Sequence, residues 1–281
     1  MDLCDYKQIT QLLAANGFHF SKSKGQNFLT ASWVPEQIAE ASGAGQGVGV
    51  VEIGPGFGCL TQQLALRAEK VLSYEVDESL KPVLAQTLAG IDNVEILFAD
   101  AMRRDLAADV KDSFSGMPVV MCANLPYNIT TPVLTKAFEA GCFQRITVMI
   151  QKEVAQRIAA KPNTAEYGAF SVLAQWYTEP ELLFSVGPEC FVPRPKVTSE
   201  VITMKRRETP PAAVSDEKAF FRVVRAAFNM RRKTLVNALE GVCGKENARA
   251  ALCACGLDER VRGEALSIAE FAALSNELAK Y

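Results

Sequence analysis

Gly47-Val48-Gly49-Val50-Val51-Glu52-Ile53-Gly54-Pro55-Gly56-Phe57-Gly58-Cys59-Leu60-Thr61 is a β-branched apolar run that breaks into glycines at 54, 56 and 58. Helix-forming residues follow from Gln62 to Glu69. The pattern reads as strand, glycine loop, helix, the opening unit of an open α/β sheet. The three glycines let the backbone approach a ligand closely, and the helix start beyond them favours a polar or anionic group. The spacing is G-x-G-x-G, not the G-x-G-x-x-G of the dinucleotide fingerprint, so the loop alone does not name its ligand.

Three more strand-like runs carry a polar residue at their ends. Lys70-Val71-Leu72-Ser73-Tyr74-Glu75-Val76 places an acid where the ribose hydroxyls of a nucleoside would be held, as in NAD or S-adenosylmethionine. Val94-Glu95-Ile96-Leu97-Phe98 runs into Ala99-Asp100-Ala101, which puts a carboxylate where an adenine amino group can donate to it. Val119-Val120-Met121-Cys122-Ala123 ends in Asn124. Gly54, Glu75, Asp100 and Asn124 therefore stand at four consecutive strand ends, on the carboxyl edge where open α/β sheets bind ligands. Singly each is an ordinary surface residue or cap; the ordered set points to a nucleoside-type site.

The fourth strand end reads Asn124-Leu125-Pro126-Tyr127. An exocyclic amine on a nucleobase is a poor nucleophile because its lone pair is delocalised into the ring. Acceptors on its two N–H bonds draw it towards tetrahedral geometry and free that pair. The Asn124 amide oxygen and the Leu125 carbonyl are candidates for those acceptors. Pro126 fixes the turn, and Tyr127 offers a flat face for an unstacked base, worth about 1–3 kcal/mol. Without the other strand ends, the same four residues would be an ordinary strand-to-turn exit; with them, they point to methyl transfer onto a base nitrogen.

The seven segments Lys24 to Leu29, Glu52 to Thr61, Glu75-Val76-Asp77, Asp100-Ala101, Asn124 to Pro132, Phe191-Val192-Pro193-Arg194-Pro195-Lys196-Val197 and Ala227 to Leu235 occur in that order along the chain. In these it resembles the small-subunit ribosomal RNA adenine N6-dimethyltransferases. The last segment separates that group from the resistance-type methylases of large-subunit RNA, which look similar through the catalytic half. Cys59 stands where family members often have a small residue, a change that a backbone-lined site tolerates.

The resemblance implies an α/β, Rossmann-like class I methyltransferase with a seven-stranded mixed sheet, its last strand antiparallel, plus a small all-α C-terminal domain. It implies S-adenosylmethionine as cofactor. The expected reaction is dimethylation of N6 on two adjacent adenines in a 3'-end hairpin loop of small-subunit (16S) ribosomal RNA, with a role in small-subunit biogenesis. The partner is small-subunit RNA in a pre-ribosomal particle, and the protein is expected to be a monomer. By the same resemblance Asn27 and Leu29 close over the cofactor, Gly54 and Gly56 line its amino-acid end, Glu75 holds the ribose and Asp100 the adenine. Asn124, which also borders the cofactor, acts on the target base with Leu125, Pro126 and Tyr127, and Phe191 is a second aromatic wall. No general base is needed, and no metal.

Three rival readings remain. A DNA N6-adenine methylase would carry Asp/Asn-Pro-Pro-Tyr, against which Leu125 argues. A large-subunit methylase of the resistance type shares the catalytic half. A non-enzymatic ribosome assembly factor would keep the fold and use the cofactor little, against which the intact strand-end set argues.

Composition agrees with an intracellular enzyme. The 281 residues accommodate an α/β domain of about 200 residues and a smaller companion. The expected domains are 1–207, with residues 1–30 as N-terminal helix and closing segment, and 208–281, with Glu208-Thr209-Pro210-Pro211-Ala212-Ala213 as linker. Apolar runs are too short to span a bilayer, and Met1 to Asp5 lacks the features of a signal peptide. Eight cysteines without C-x-x-C pairs suit a reduced cytoplasm, and His19 is the sole histidine, read as a surface residue. The net charge of −2 is uneven: residues 205–262 hold 13 Lys and Arg against 7 Asp and Glu, and the remainder holds 17 against 25. The basic excess, including Lys205-Arg206-Arg207 and Arg231-Arg232-Lys233, suits phosphate contacts. The periodicity predicts helices over Asp5–Asn16, Lys152–Ala160, Ala169–Tyr177, Ala219–Leu239, Lys245–Cys255 and Ser267–Lys280.

Overall fold

The structure is a computed structural model that describes residues 3–17 and 27–281; His19 and Lys24-Gly25-Gln26 lie outside the described residues. Two compact units are formed, one by Met1–Ala155 with Pro180–Arg206 and one by Gln156–Glu179 with Arg207–Tyr281.

In the first unit the elements are α1 (Tyr6–Ala15), β1 (Phe28–Leu29), α2 (Trp33–Ala41), β2 (Gly49–Ile53), α3 (Cys59–Ala65), β3 (Lys70–Glu75), α4 (Lys81–Thr87) and β4 (Val94–Phe98). There follow α5 (Leu106–Phe114), β5 (Val119–Asn124), α6 (Thr130–Ala140) and β6 (Arg145–Gln151). Helix α7 (Lys152–Ala159) leads out of the unit, and β7 (Thr178–Val186), β8 (Phe191–Val192) and β9 (Ser199–Arg206) return to it. The sheet order is β4-β3-β2-β5-β6-β9-β7. Strands β2 to β6 are parallel and β9 is antiparallel to β6. Seven strands with the last reversed is what the resemblance implies. All five residues of β2 are buried, as expected for a strand covered on both faces.

The order fixes the ligand crevice. From β2 the chain winds outward through β3 and β4, then crosses back to β5 and winds the other way. The loops after β2 and β5 therefore diverge, and a crevice opens between Gly54 and Asn124 at the carboxyl edge. A two-stranded ribbon that the sequence reading did not foresee pairs β1 with β8, Phe28 opposite Val192 and Leu29 opposite Phe191. Helix α1, capped by the Asp5 carboxylate on the Lys7 N–H at 2.8 Å, buries Ile9, Leu12 and Leu13 in a cluster with Phe28, Phe57, Leu80 and Leu84.

The second unit contains α8 (Ala169–Tyr177), α9 (Glu217–Asn229), α10 (Leu235–Ala238), α11 (Glu240–Cys243), α12 (Lys245–Ala254) and α13 (Ile268–Leu278). Sequence reading begins the helical domain at 208; the contacts begin it at Arg207 and add Gln156–Glu179. The cause is core packing: Tyr167, Val172 and Trp176 are buried in one cluster with Phe220, Val224 and Phe271. Trp176 stacks on Phe220 with ring centroids 4.4 Å apart.

The single helix expected over Ala219–Leu239 is broken after Asn229. No glycine or proline marks the break; tertiary contacts make it. Arg231, just past the helix end, donates from Nη2 to the carbonyls of Ala165 at 2.6 Å and Tyr167 at 2.9 Å, and its Nε lies 3.4 Å from Glu264. Arg231, although exposed like Arg232 and Lys233 beside it, is thereby tied into the unit's own fold. Among the described residues no helix is long and apolar enough to cross a membrane.

Candidate active site

The crevice is an open cleft of about 1050 Å³, a volume that takes in the solvent at its mouth. Its lining includes Asn27, Leu29, Gly54, Gly56, Glu75, Asp100, Asn124, Leu125, Pro126 and Tyr127. Ten of the eleven expected site residues are thus brought to one surface; Phe191 is not among the lining residues. Phe191 is 1% exposed and sits in the core with Leu29, Met149 and Val201, held there by the ribbon.

The glycine loop is shaped by left-handed backbone at Gly54 (φ 74°) and Gly56 (φ 58°), which disfavours any other residue. A Cβ on Gly56 would also stand 3.1 Å from the Phe28 ring. That ring stacks on Phe57 with centroids 3.7 Å apart. The ribbon and this stack together seat residues 27–29 on the loop. From the other side of the crevice the Asn124 side-chain N–H₂ donates to the Asn27 carbonyl at 3.4 Å. This orientation makes Oδ1 the end of the amide available to a donor in the cavity.

At the β3 end of the cavity, Glu75 is 5% exposed and accepts the Asp77 N–H at 2.8 Å. Burial raises its pKa, while the backbone N–H of Asp77 pulls the other way. Asp100 caps a short 3-10 turn by accepting the Met102 N–H at 2.9 Å, and Arg103 Nε lies 3.5 Å from its second oxygen. Tyr74, also in the lining, donates its hydroxyl to Asp109 at 2.8 Å, and Arg104 Nε donates to the same carboxylate at 3.0 Å. This chain of bonds ties the tip of β3 to the segment after Asp100.

At the other end, Leu125 is 1% exposed and donates its N–H to the Met149 carbonyl at 3.1 Å. The Tyr127 hydroxyl lies 2.8 Å from Ser199 Oγ. Cys59 lines the cavity but directs its thiol away from chemistry, donating to the Leu3 carbonyl at 3.0 Å. A hydrogen bond with the Cys4 thiol, together with burial, holds its pKa well above the ordinary thiol value, so it is a poor nucleophile. No group of three or more His, Cys, Asp or Glu able to hold a metal ion is found among the described residues.

Glu52, which sequence reading treats only as part of the loop motif, is the buried anchor beneath it. Its Oε2 accepts from Thr61 at 2.7 Å and from Ser73, whereas Oε1 is buried without a partner. Burial pushes its carboxyl up to about 7 from an ordinary 4.5. Between those values the folded chain holds a proton that the unfolded chain has lost, so stability falls as pH rises through this window. Glu52→Gln keeps an acceptor for both hydroxyls and removes the titration. Thermal melts from about pH 5 to 8 should show the variant losing less stability than the wild type, the difference reaching a few kcal/mol at the alkaline end. Parallel profiles would show that Glu52 is ionised in the folded protein.

A parallel sheet with one reversed strand, and a cavity lined by the glycine loop after β2 and the turn after β5, define a Rossmann-like methyltransferase. The chain belongs to the ribosomal RNA adenine dimethylase family, whose model matches residues 17–280. It is 46% identical over 284 residues to ribosomal RNA small subunit methyltransferase A of Geobacillus thermodenitrificans, covering 99% of this chain and 97% of that one. Among solved structures, the 23S rRNA methyltransferase ErmE is 26% identical, with a TM-score of 0.69 over 90% of this chain and 99% of its own. A dimethyladenosine transferase from Plasmodium falciparum shares the fold at 22% identity, with a TM-score of 0.71 over 88% of this chain and 95% of its own. The higher identity lies with the small-subunit enzyme, and the large-subunit alternative is not favoured.

Proposed function

We propose that this chain transfers methyl groups from S-adenosylmethionine to N6 of two adjacent adenines in a 3'-end hairpin loop of small-subunit ribosomal RNA. It acts in the cytoplasm as a monomer on a pre-ribosomal particle, in small-subunit biogenesis. The observation that carries the reading is the gathering of Gly54, Glu75, Asp100 and Asn124 on one cavity of a chain 46% identical to a small-subunit methyltransferase. The cofactor suits the residues present. The loop has left-handed glycines where side chains would crowd a ligand, and Glu75 presents a nearly buried carboxylate to hydroxyl donors.

In this reading Gly54 and Gly56 border the amino-acid end of the cofactor, Glu75 accepts from its ribose, and Asp100 accepts from its adenine amine. Asn27 and Leu29 cover it. When bound, S-adenosylmethionine supplies a methyl group made labile by the positive charge on sulfur. The protein's work is then to hold the acceptor amine. Asn124 Oδ1 and the Leu125 carbonyl accept its two N–H bonds and favour the tetrahedral nitrogen, Pro126 fixes the turn, and Tyr127 stacks on the base. The proton acidified by N-methylation leaves to water. Phe191 contributes by pairing with Leu29; a role as second wall requires its ring to leave the core.

Two measurements test this. Calorimetry should detect stoichiometric S-adenosylmethionine binding, and labelled methyl groups should pass to undermethylated small subunits and not to DNA oligonucleotides. Transfer to DNA, or no cofactor binding, contradicts the reading. Arg232 and Lys233 are assigned to RNA phosphates. Replacing both by Ala should weaken binding to the substrate particle and flatten its log–log salt slope by roughly one unit per lost phosphate contact. Cofactor affinity should not change. An unaltered slope would leave these charges facing solvent. Arg231→Ala, by contrast, should lower the melting temperature of the protein, because it removes bonds internal to the second unit.

A further inference from the structure

The ring of Tyr127 is held from outside its own turn. Its hydroxyl meets Ser199 Oγ at 2.8 Å, and Ser199 is fully buried at 0% exposure. Ser199 opens β9 and pairs with Gln151, the last residue of β6. Because β9 runs against β6, its first residue arrives at the carboxyl edge of the parallel strands, the edge on which Asn124 ends β5. The ladder fixes the Ser199 backbone, and burial leaves its short side chain little freedom. Tyr127, in contrast, stands on the turn after β5 and lines the cavity. Burial raises its pKa above the ordinary tyrosine value, so the hydroxyl stays neutral and the bond persists across working pH.

We propose that Ser199 is a positioning residue for the target base, its hydroxyl locking the Tyr127 ring in the orientation on which the adenine stacks. The inference rests on the reading of Tyr127 as that stacking face. Ser199 touches neither cofactor nor reacting nitrogen in this account; it acts through the tyrosine. A ring free to tilt would still bind the base but would present its amine off line, and small displacements of reacting groups are expensive in rate.

The test is a mutant cycle on small-subunit particles, with cofactor affinity measured alongside. Ser199→Ala and Tyr127→Phe remove the same bond from its two ends. Each should lower kcat by about 3- to 10-fold, with KM changed less and the cofactor Kd unchanged. The double variant should be no slower than the slower single variant, because only one interaction is lost. Losses that multiply, or normal turnover in either single variant, overturn the proposal. Should Ser199→Ala fail to fold, Tyr127→Phe alone decides, since it leaves β9 intact. Tyr127→Ala separates this idea from the reading beneath it. If Tyr127→Ala is severely impaired while Tyr127→Phe is normal, the stacking face stands and the Ser199 proposal falls. If Tyr127→Ala is itself normal, the stacking face falls, and the Ser199 proposal with it.

Discussion

Replacing Asn124 by Ala should lower methyl-transfer turnover by about 10²- to 10³-fold, the range seen when one preorganised hydrogen-bonding group is removed from a reaction centre. Cofactor affinity should change little, because the amide oxygen acts on the amine as its nitrogen becomes tetrahedral. The side-chain N–H₂ of Asn124 also holds the Asn27 carbonyl, so a second effect on the seating of residues 27–29 is built into the variant. Cofactor titration distinguishes the two. A loss confined to kcat assigns Asn124 to the amine, whereas an equal loss in cofactor affinity assigns it to the closing segment. Near-normal turnover would remove Asn124 from the chemistry.

Glu75→Ala should do the reverse. A buried carboxylate that accepts ribose hydroxyls contributes charge-assisted bonds of about 1.5–3 kcal/mol, so its removal should raise the cofactor Kd by about 10- to 100-fold. Affinity for the ribosomal particle should stay nearly constant. Glu75 also accepts the Asp77 N–H, and Glu75→Gln retains that acceptor. Calorimetry on both variants, with melting temperatures, is the check: Gln should fall between wild type and Ala in cofactor affinity at near-native stability. If RNA and cofactor affinity drop together with stability, Glu75 is a fold residue.

The strand-end residues were legible because a parallel sheet imposes a simple rule. Every strand in it exits at the same edge, so a glycine, two carboxylates and an amide at successive strand ends must share that edge whatever the helices do. The placing of the Asn124–Tyr127 turn on the cavity was legible for the same reason. What stayed hidden depends on contacts between distant segments. Two-residue strands carry no periodicity, so nothing in Phe28-Leu29 or Phe191-Val192 announces that they pair. That pairing buries Phe191 and seats Asn27 on the cavity. Ser199 carries no signal of its own in the sequence, and its place beside Tyr127 follows only from β9 running backwards. Glu52 reads as a motif letter until Thr61 and Ser73 are seen to converge on it. In the second unit the break after Asn229 has no local signal, because Arg231 is drawn out of helical register by carbonyls some 65 residues earlier in the chain.

Basic residues illustrate the same limit. Charge counting treats Arg231, Arg232 and Lys233 as one cluster, and all three are exposed, yet the guanidinium of Arg231 is bonded to carbonyls and a carboxylate of its own unit.

The claim that unites the cavity, the family and the basic unit is that adenines of small-subunit ribosomal RNA are the substrate. Mass spectrometry of nuclease-digested small-subunit RNA, from cells lacking this protein and from the same cells with it restored, tests that claim most directly. The account predicts that N6-dimethyladenine is missing from the first RNA, returns with the intact chain, and does not return with Asn124→Ala. Full dimethylation of small-subunit RNA in cells without the protein would contradict it.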